Sequence, residues 1–199
     1  MSRAPNFSSR KSQRKKKRTI LIVTNGERTE MLYLKELKRR ANLTDAIVKV
    51  KFVAGEPSTL VRKLEAPHGD LTGFDEIWLV VDEDGKDRAH FLQECIKACT
   101  KVQQWVAILS IPSFEVWLIA HYEQVRRYSD QAGARQHFRS LISKAVPDKE
   151  LPKNFPFENI PLTVTQCRLV NTQGPVKNST PSNPGSAMPL LVERLNIVP

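Results

Sequence analysis

Four apolar runs of about six residues set the frame of this chain. Residues 19–24 (TILIVT), 77–81 (IWLVV) and 106–111 (VAILSI) are continuous and rich in β-branched side chains, the pattern of strands buried on both faces. Residues 48–53 alternate instead, with Lys49 and Lys51 between apolar neighbours, as a half-exposed edge strand does. Between these runs the apolar period lengthens to that of a helix. Thr29 is placed to N-cap the first helix, Glu30 suits its positive first turn, and Leu32, Leu34 and Leu37 ride among charged residues. Pro57-Ser58 opens a second helix to about residue 64, residues 88–100 form a third, and residues 114–122 form a fourth with Ser113 positioned as its cap. The order β-α-β-α-β-α-β-α predicts a small parallel sheet covered by helices on both faces with right-handed crossovers.

Past Glu123 the pattern weakens. Residues 130–146 read as a helix, 147–161 as a proline-punctuated loop, 160–170 as either helix or strand, 172–189 as a surface loop rich in Pro, Gly, Ser and Asn, and 190–195 as a short terminal helix. The expected division is a disordered basic arm (1–18), an α/β core (19–123) and an extension packed on that core (124–199). No internal repeat is visible.

The formal charge of +10 suggests a nucleic-acid partner, but its placement narrows the claim. Arg3, Arg10, Lys11, Arg14, Lys15, Lys16, Lys17 and Arg18 are eight of the 31 basic residues and precede every acidic one, leaving 23 basic against 21 acidic residues in the rest. The excess therefore sits in a segment too polar to fold alone, yet able to hold phosphates in a salt-dependent manner. Cys95, Cys99 and Cys167 are odd in number and form no CxxC, against a disulfide framework or zinc site, and a reducing cytoplasm fits best. No 18-residue apolar stretch and no apolar leader occur, so neither a membrane span nor secretion is expected, and the glycosylation triplets at Asn6, Asn42 and Asn178 read as chance.

Open α/β sheets bind ligands beyond the carboxyl ends of their strands, which makes the residues there informative. Glu27 follows the first strand, Asp82 and Asp84 follow the third, and Glu115 follows the fourth. Strand alternation places Asp82 and Asp84 on one side with Glu83 on the other. Two or three carboxylates suffice for Mg²⁺ (or Mn²⁺), which completes its shell with water and phosphate oxygens. Glu27 serves either as a further ligand or as a general acid or base. Acidic residues at strand ends also solubilise loops and cap helices, and it is their joint placement after three strands that favours a site.

At these residues the chain resembles the RloB-like family of Toprim proteins, which includes the abortive-infection component AbiLii. The resemblance rests on Asn25-Gly26-Glu27-Arg28-Thr29-Glu30, on Val81-Asp82-Glu83-Asp84-Gly85, and on Ile111-Pro112-Ser113-Phe114-Glu115-Val116-Trp117-Leu118, with Asn183-Pro184 ahead of the last helix as a tail motif. It implies a Toprim fold, Glu27 as the catalytic glutamate, Asp82 and Asp84 as Mg²⁺ ligands, Glu115 as a further acidic contributor, and phosphodiester cleavage in prokaryotic phage defence. Glu83 inside the acidic triplet and Lys86-Asp87 after it depart from the usual pattern, leaving one metal or two open.

Several residues carry both a structural and a chemical reading. Arg28 is a phosphate ligand or a solvated helix start. His90 and His121 lack partners at metal-ligand spacing, and Trp117, two positions past Glu115, faces the core. Cys95 and Cys99 share a helix face as buried thiols do. Lys49, Lys51, Arg62 and Lys63 extend a basic surface or solvate an edge. No GxxxxGK[ST] or GxGxxG motif is present, so any ATP-driven control requires an ATPase partner protein. Two functions remain: a metal-dependent nuclease acting on DNA or RNA, with Arg28, Arg14, Lys15, Lys16, Lys17 and Arg18 holding the strand, or a non-catalytic nucleic-acid or protein-binding module on the same scaffold.

Overall fold

The computed structural model describes residues 16–66, 71–170 and 176–197. Strand β1 (Arg18–Thr24) is followed by α1 (Thr29–Arg40), β2 (Ala46–Phe52), α2 (Pro57–Glu65), β3 (Glu76–Asp82), α3 (Ala89–Ala98), β4 (Gln104–Ile111) and α4 (Glu115–Ile119). The extension adds α5 (Gln131–Leu141), a 3-10 turn (Phe157–Asn159), α6 (Ile160–Val170), β5 (Gly185–Ser186) and α7 (Met188–Arg194). One five-stranded sheet of order β2-β1-β3-β4-β5 results, a mixed α/β arrangement consistent with a Toprim-like fold.

Alternation along each strand divides the core in two. Ile20, Ile22, Trp78, Val80, Val106 and Ile108 face α1, α4 and α7, while Leu21, Val23, Ile77, Leu79, Ala107 and Leu109 face α2 and α3. Both faces are covered, which is why β1, β3 and β4 read as continuous apolar runs. β2 lies at the edge and pairs only with β1, so Ile47, Lys49 and Lys51 meet solvent. At the other edge β5 pairs antiparallel with β4, Ser186 Oγ lies 2.9 Å from Ser110 Oγ, and Asn178 extends the cover by accepting from the Ala107 N–H at 2.6 Å and donating to the Trp105 carbonyl at 3.0 Å.

The structure alters several expectations. The 172–189 segment includes β5, so the sheet is not wholly parallel, and the ambiguous 160–170 segment is helical, with Pro161 tolerated in its first turn. α4 is five residues long, and Thr29 opens α1 rather than capping it, Arg28 occupying the cap position without a side-chain bond. Asp130 does cap α5, accepting from the Gly133 N–H at 2.8 Å. Arg18, assigned to the arm, begins β1 and lies 3.4 Å from Glu76. Glu76 also accepts from Arg194 Nε at 2.9 Å, Arg194 Nη2 at 2.7 Å and Trp78 Nε1 at 3.1 Å, tying α7 to the amino end of β3. Among the described residues no helix is long and apolar enough to cross a membrane.

Candidate functional site

In the order β2-β1-β3-β4 the chain runs outward from β1 to β2 and then returns to place β3 on the other side of β1. The loops after β1 and β3 therefore part at this switch point and leave a crevice. The crevice has a volume of about 580 Å³, and five carboxylates line it: Glu27, Glu30, Asp82, Asp84 and Glu115. Arg28, Arg135 and Lys149 are the basic residues of its lining.

Asp82 is the last residue of β3, held by the ladder to β4. Asp84 reaches the same crevice by a different route from the strand alternation expected. β3 has ended, and Asp84 and Gly85 both adopt left-handed conformations (φ 55° and 66°), turning the chain back over the strand ends. The turn is fastened to the end of β4 by Glu83 N–H donating to the Ser110 carbonyl at 3.0 Å and Asp84 N–H to the Pro112 carbonyl at 3.1 Å. Beneath it the buried Arg88 donates from Nε to the Asp82 carbonyl at 2.9 Å and lies 3.7 Å from Glu56, which Lys86 also pairs at 3.0 Å. The β2–α2 loop is thus joined to the acidic turn, and Lys63 Nζ supports it by donating to the Ala54 carbonyl at 2.6 Å.

Glu115 enters from the start of α4. Ser113, expected to cap that helix, instead donates from Oγ to Glu115 Oε2 at 2.6 Å, while Arg135 of α5 approaches Oε1 at 3.5 Å. Glu30 is the carboxylate that the sequence reading passed over as a helix-start charge. It folds back over Gly26, where an added Cβ would strike its carboxyl group and oblige the side chain to shift.

Crowding is visible in the acid strengths. Burial, then the charges of Glu30, Glu115 and Asp84, push the Asp82 carboxyl well above the usual carboxylate range, against the opposing Phe114 N–H. Burial and the charges of Glu115 and Asp84 likewise raise Glu30, partly offset by its own backbone N–H and by Arg135. Asp84 is raised by burial and Glu115, with Arg88, Arg135 and Lys86 opposing. Glu27 lines the rim of the crevice and is exposed.

A divalent cation suits this donor set by chemistry, since the donors are hard oxygens and their mutual repulsion is what such an ion relieves. Among the described residues no three His, Cys, Asp or Glu side chains already converge on one point, so a bound ion would need a rotated carboxylate or bridging water.

Arg28 lies at the rim. Lys16 and Lys17 are exposed at the amino end of β1, a strand of seven residues and thus about 20 Å from the crevice, and Arg14 and Lys15 fall outside the described residues. His121 is a core residue, its Nδ1–H donating to the Trp117 carbonyl at 2.9 Å and its Nε2 accepting from Tyr33 Oη at 3.1 Å. Burial drops its pKa to about 4. His90 is exposed beside Glu94, Trp117 is fully buried, and burial lifts the Cys95 thiol to about 12, which keeps it unreactive. Arg135 and Lys149 belong to the extension and gave no local signal, and Glu30, in the first turn of α1, carried only the signal of a helix-start charge.

Fold and crevice together define an α/β domain with a carboxylate-rich pocket at the switch point of a mostly parallel sheet. The family of RloB-like proteins matches residues 20–195, and the chain belongs to that family. No curated protein and no solved structure matches the chain.

Proposed function

We propose that this protein is a metal-dependent nuclease that hydrolyses DNA or RNA phosphodiesters in prokaryotic phage defence. The observation carrying the proposal is the crowding of Asp82, Asp84, Glu30 and Glu115 around one crevice, where the raised proton affinities of Asp82, Asp84 and Glu30 mark charge awaiting a cation. Asp82 and Asp84 would hold Mg²⁺ or Mn²⁺, with Glu30 and Glu115 contributing directly or through water. Such a metal polarises a phosphoryl oxygen and lowers the pKa of a bound water. The chain's own part is to fix the acidic turn through Ser110 and Pro112, to orient Glu115 through Ser113, and to bring Arg28 and Arg135 to the rim where a phosphate would lie. Glu27, exposed at that rim, is placed to take a proton from water or give one to a leaving oxygen. The basic arm would hold the strand at a distance and an ATPase partner would license cutting.

A second reading, a binding module without turnover, is favoured by one observation: the carboxylates do not already converge on a single point. Incubation of the full chain and its Glu27→Ala and Asp82→Ala variants with labelled DNA and RNA, in Mg²⁺, Mn²⁺ or EDTA, separates the two. Cleavage that needs metal and is lost in Asp82→Ala supports the nuclease. Metal binding without cleavage of either polymer supports the module.

A further inference from the structure

The acidic crevice is built by the α/β core, but the one ion pair to a carboxylate of the cluster among the described residues comes from the extension. Arg135 on α5 lies 3.5 Å from Glu115 Oε1. The two ties on Glu115 are unequal. Ser113, itself buried, holds Oε2 at 2.6 Å, so the carboxylate stays put if Arg135 leaves. Arg135 is the loose partner: its contact is long, its side chain is 49 % exposed, and no other contact fixes its guanidinium among the described hydrogen bonds. Its charge also offsets the raised proton affinity of Glu30 and, beside Arg88, of Asp84, so it acts on more than Glu115 alone.

Resting on the metal-site reading above, we infer that Arg135 is an exchangeable counter-ion. In the metal-free protein it partly neutralises the carboxylates. When a divalent cation takes that role, repulsion frees the guanidinium, which swings from Glu115 to a phosphate oxygen of the nucleic acid. Its planar fork matches a phosphate better than a single carboxylate oxygen at 3.5 Å. The extension then supplies a phosphate clamp that works only with the metal in place, coupling metal and strand binding through one side chain. Metal and arginine compete for Glu115, whereas metal and strand cooperate through Arg135.

The test uses the full chain, as wild type, Arg135→Ala, Arg135→Lys and Asp82→Asn. Mn²⁺ binding is followed by calorimetry without nucleic acid, and binding of a labelled 12-residue oligonucleotide by fluorescence anisotropy in Ca²⁺ and in EDTA. Arg135→Ala should bind Mn²⁺ about two- to fivefold more tightly, the range an exposed ion pair commands. It should bind the oligonucleotide at least about fivefold more weakly in Ca²⁺ and little differently in EDTA, with Arg135→Lys intermediate in both. A purely structural role would weaken both affinities together. Wild type that binds Mn²⁺ through Asp82 while Arg135→Ala matches or falls below its Mn²⁺ affinity overturns the exchange and leaves the metal site standing. Wild type that binds no Mn²⁺ overturns the site and the exchange together.

Discussion

Arg194 is the residue whose removal most directly tests how the extension is bound to the core. Glu76 is nearly buried, with 4 % of its side chain exposed, and Arg194 meets it through Nε at 2.9 Å and Nη2 at 2.7 Å. Removing one partner of a buried pair costs about 3–5 kcal/mol, because the other charge is left without compensation. Two features reduce that here. Arg194 is 23 % exposed, and Glu76 keeps Trp78 Nε1 at 3.1 Å and Arg18 at 3.4 Å. Arg194→Ala should therefore lose about 2–3 kcal/mol, or about 4–12 °C in Tm for a domain of this size. The pH dependence has a defined sign. Burial raises the Glu76 carboxyl, but the Arg194 and Trp78 hydrogen bonds and the Arg194 charge outweigh it and hold it below the usual range. Its contribution is thus complete above the unfolded value of about 4.3 and is lost as pH falls through the lower folded value. Urea unfolding of wild type, Arg194→Ala, Glu76→Gln and the double variant at pH 7 and pH 4 closes a mutant cycle. A loss under about 0.5 kcal/mol at pH 7, or no coupling between the two sites, refutes the reasoning.

Three further outcomes follow from the same geometry. Asp82→Asn should stabilise the metal-free protein at pH 7, each kcal/mol relieved adding roughly 2–4 °C to Tm; since the folded carboxyl is raised, the advantage fades as the wild type protonates on acidification, and thermal melts across pH 4–8 should record it. Gly26→Ala should displace the Glu30 carboxyl and weaken Mn²⁺ binding severalfold by calorimetry, with less effect in a Glu30→Ala background, where no clash remains. His121, buried with its pKa dropped to about 4, stabilises the fold above pH 6.5 and loses up to roughly 3 kcal/mol as pH falls towards 4; His121→Gln should flatten that acid limb in urea unfolding, at some cost at neutral pH.

The core elements were readable because both faces of the sheet are covered: the runs at 19–24, 77–81 and 106–111 are apolar on every face, and β2 betrays its edge position by alternating Lys49 and Lys51. The extension was less legible. β5 spans two residues whose burial depends on β4, a partner some 76 positions away, and Asn178 covers that strand with a side chain. Asp82 and Asp84 were found as neighbours in sequence, but for an incorrect local reason, since a left-handed turn and not strand alternation returns Asp84 to the crevice. Glu30 was hidden because a glutamate in a first helical turn already has a sufficient explanation in the helix dipole. Its carboxyl group lies over Gly26, in space that an added Cβ would occupy. Arg135 is 20 residues from Glu115 on another element, and no spacing rule joins them.

The most direct measurement is a calorimetric titration of Mn²⁺ into the metal-free full chain, repeated with Asp82→Asn, Glu30→Gln and Glu27→Gln. Saturable binding that falls at least about tenfold in Asp82→Asn, and further in Glu30→Gln than in Glu27→Gln, is the result the crowded crevice requires. Binding that is absent in the wild type, or indifferent to Asp82, contradicts the assignment of a metal to this site.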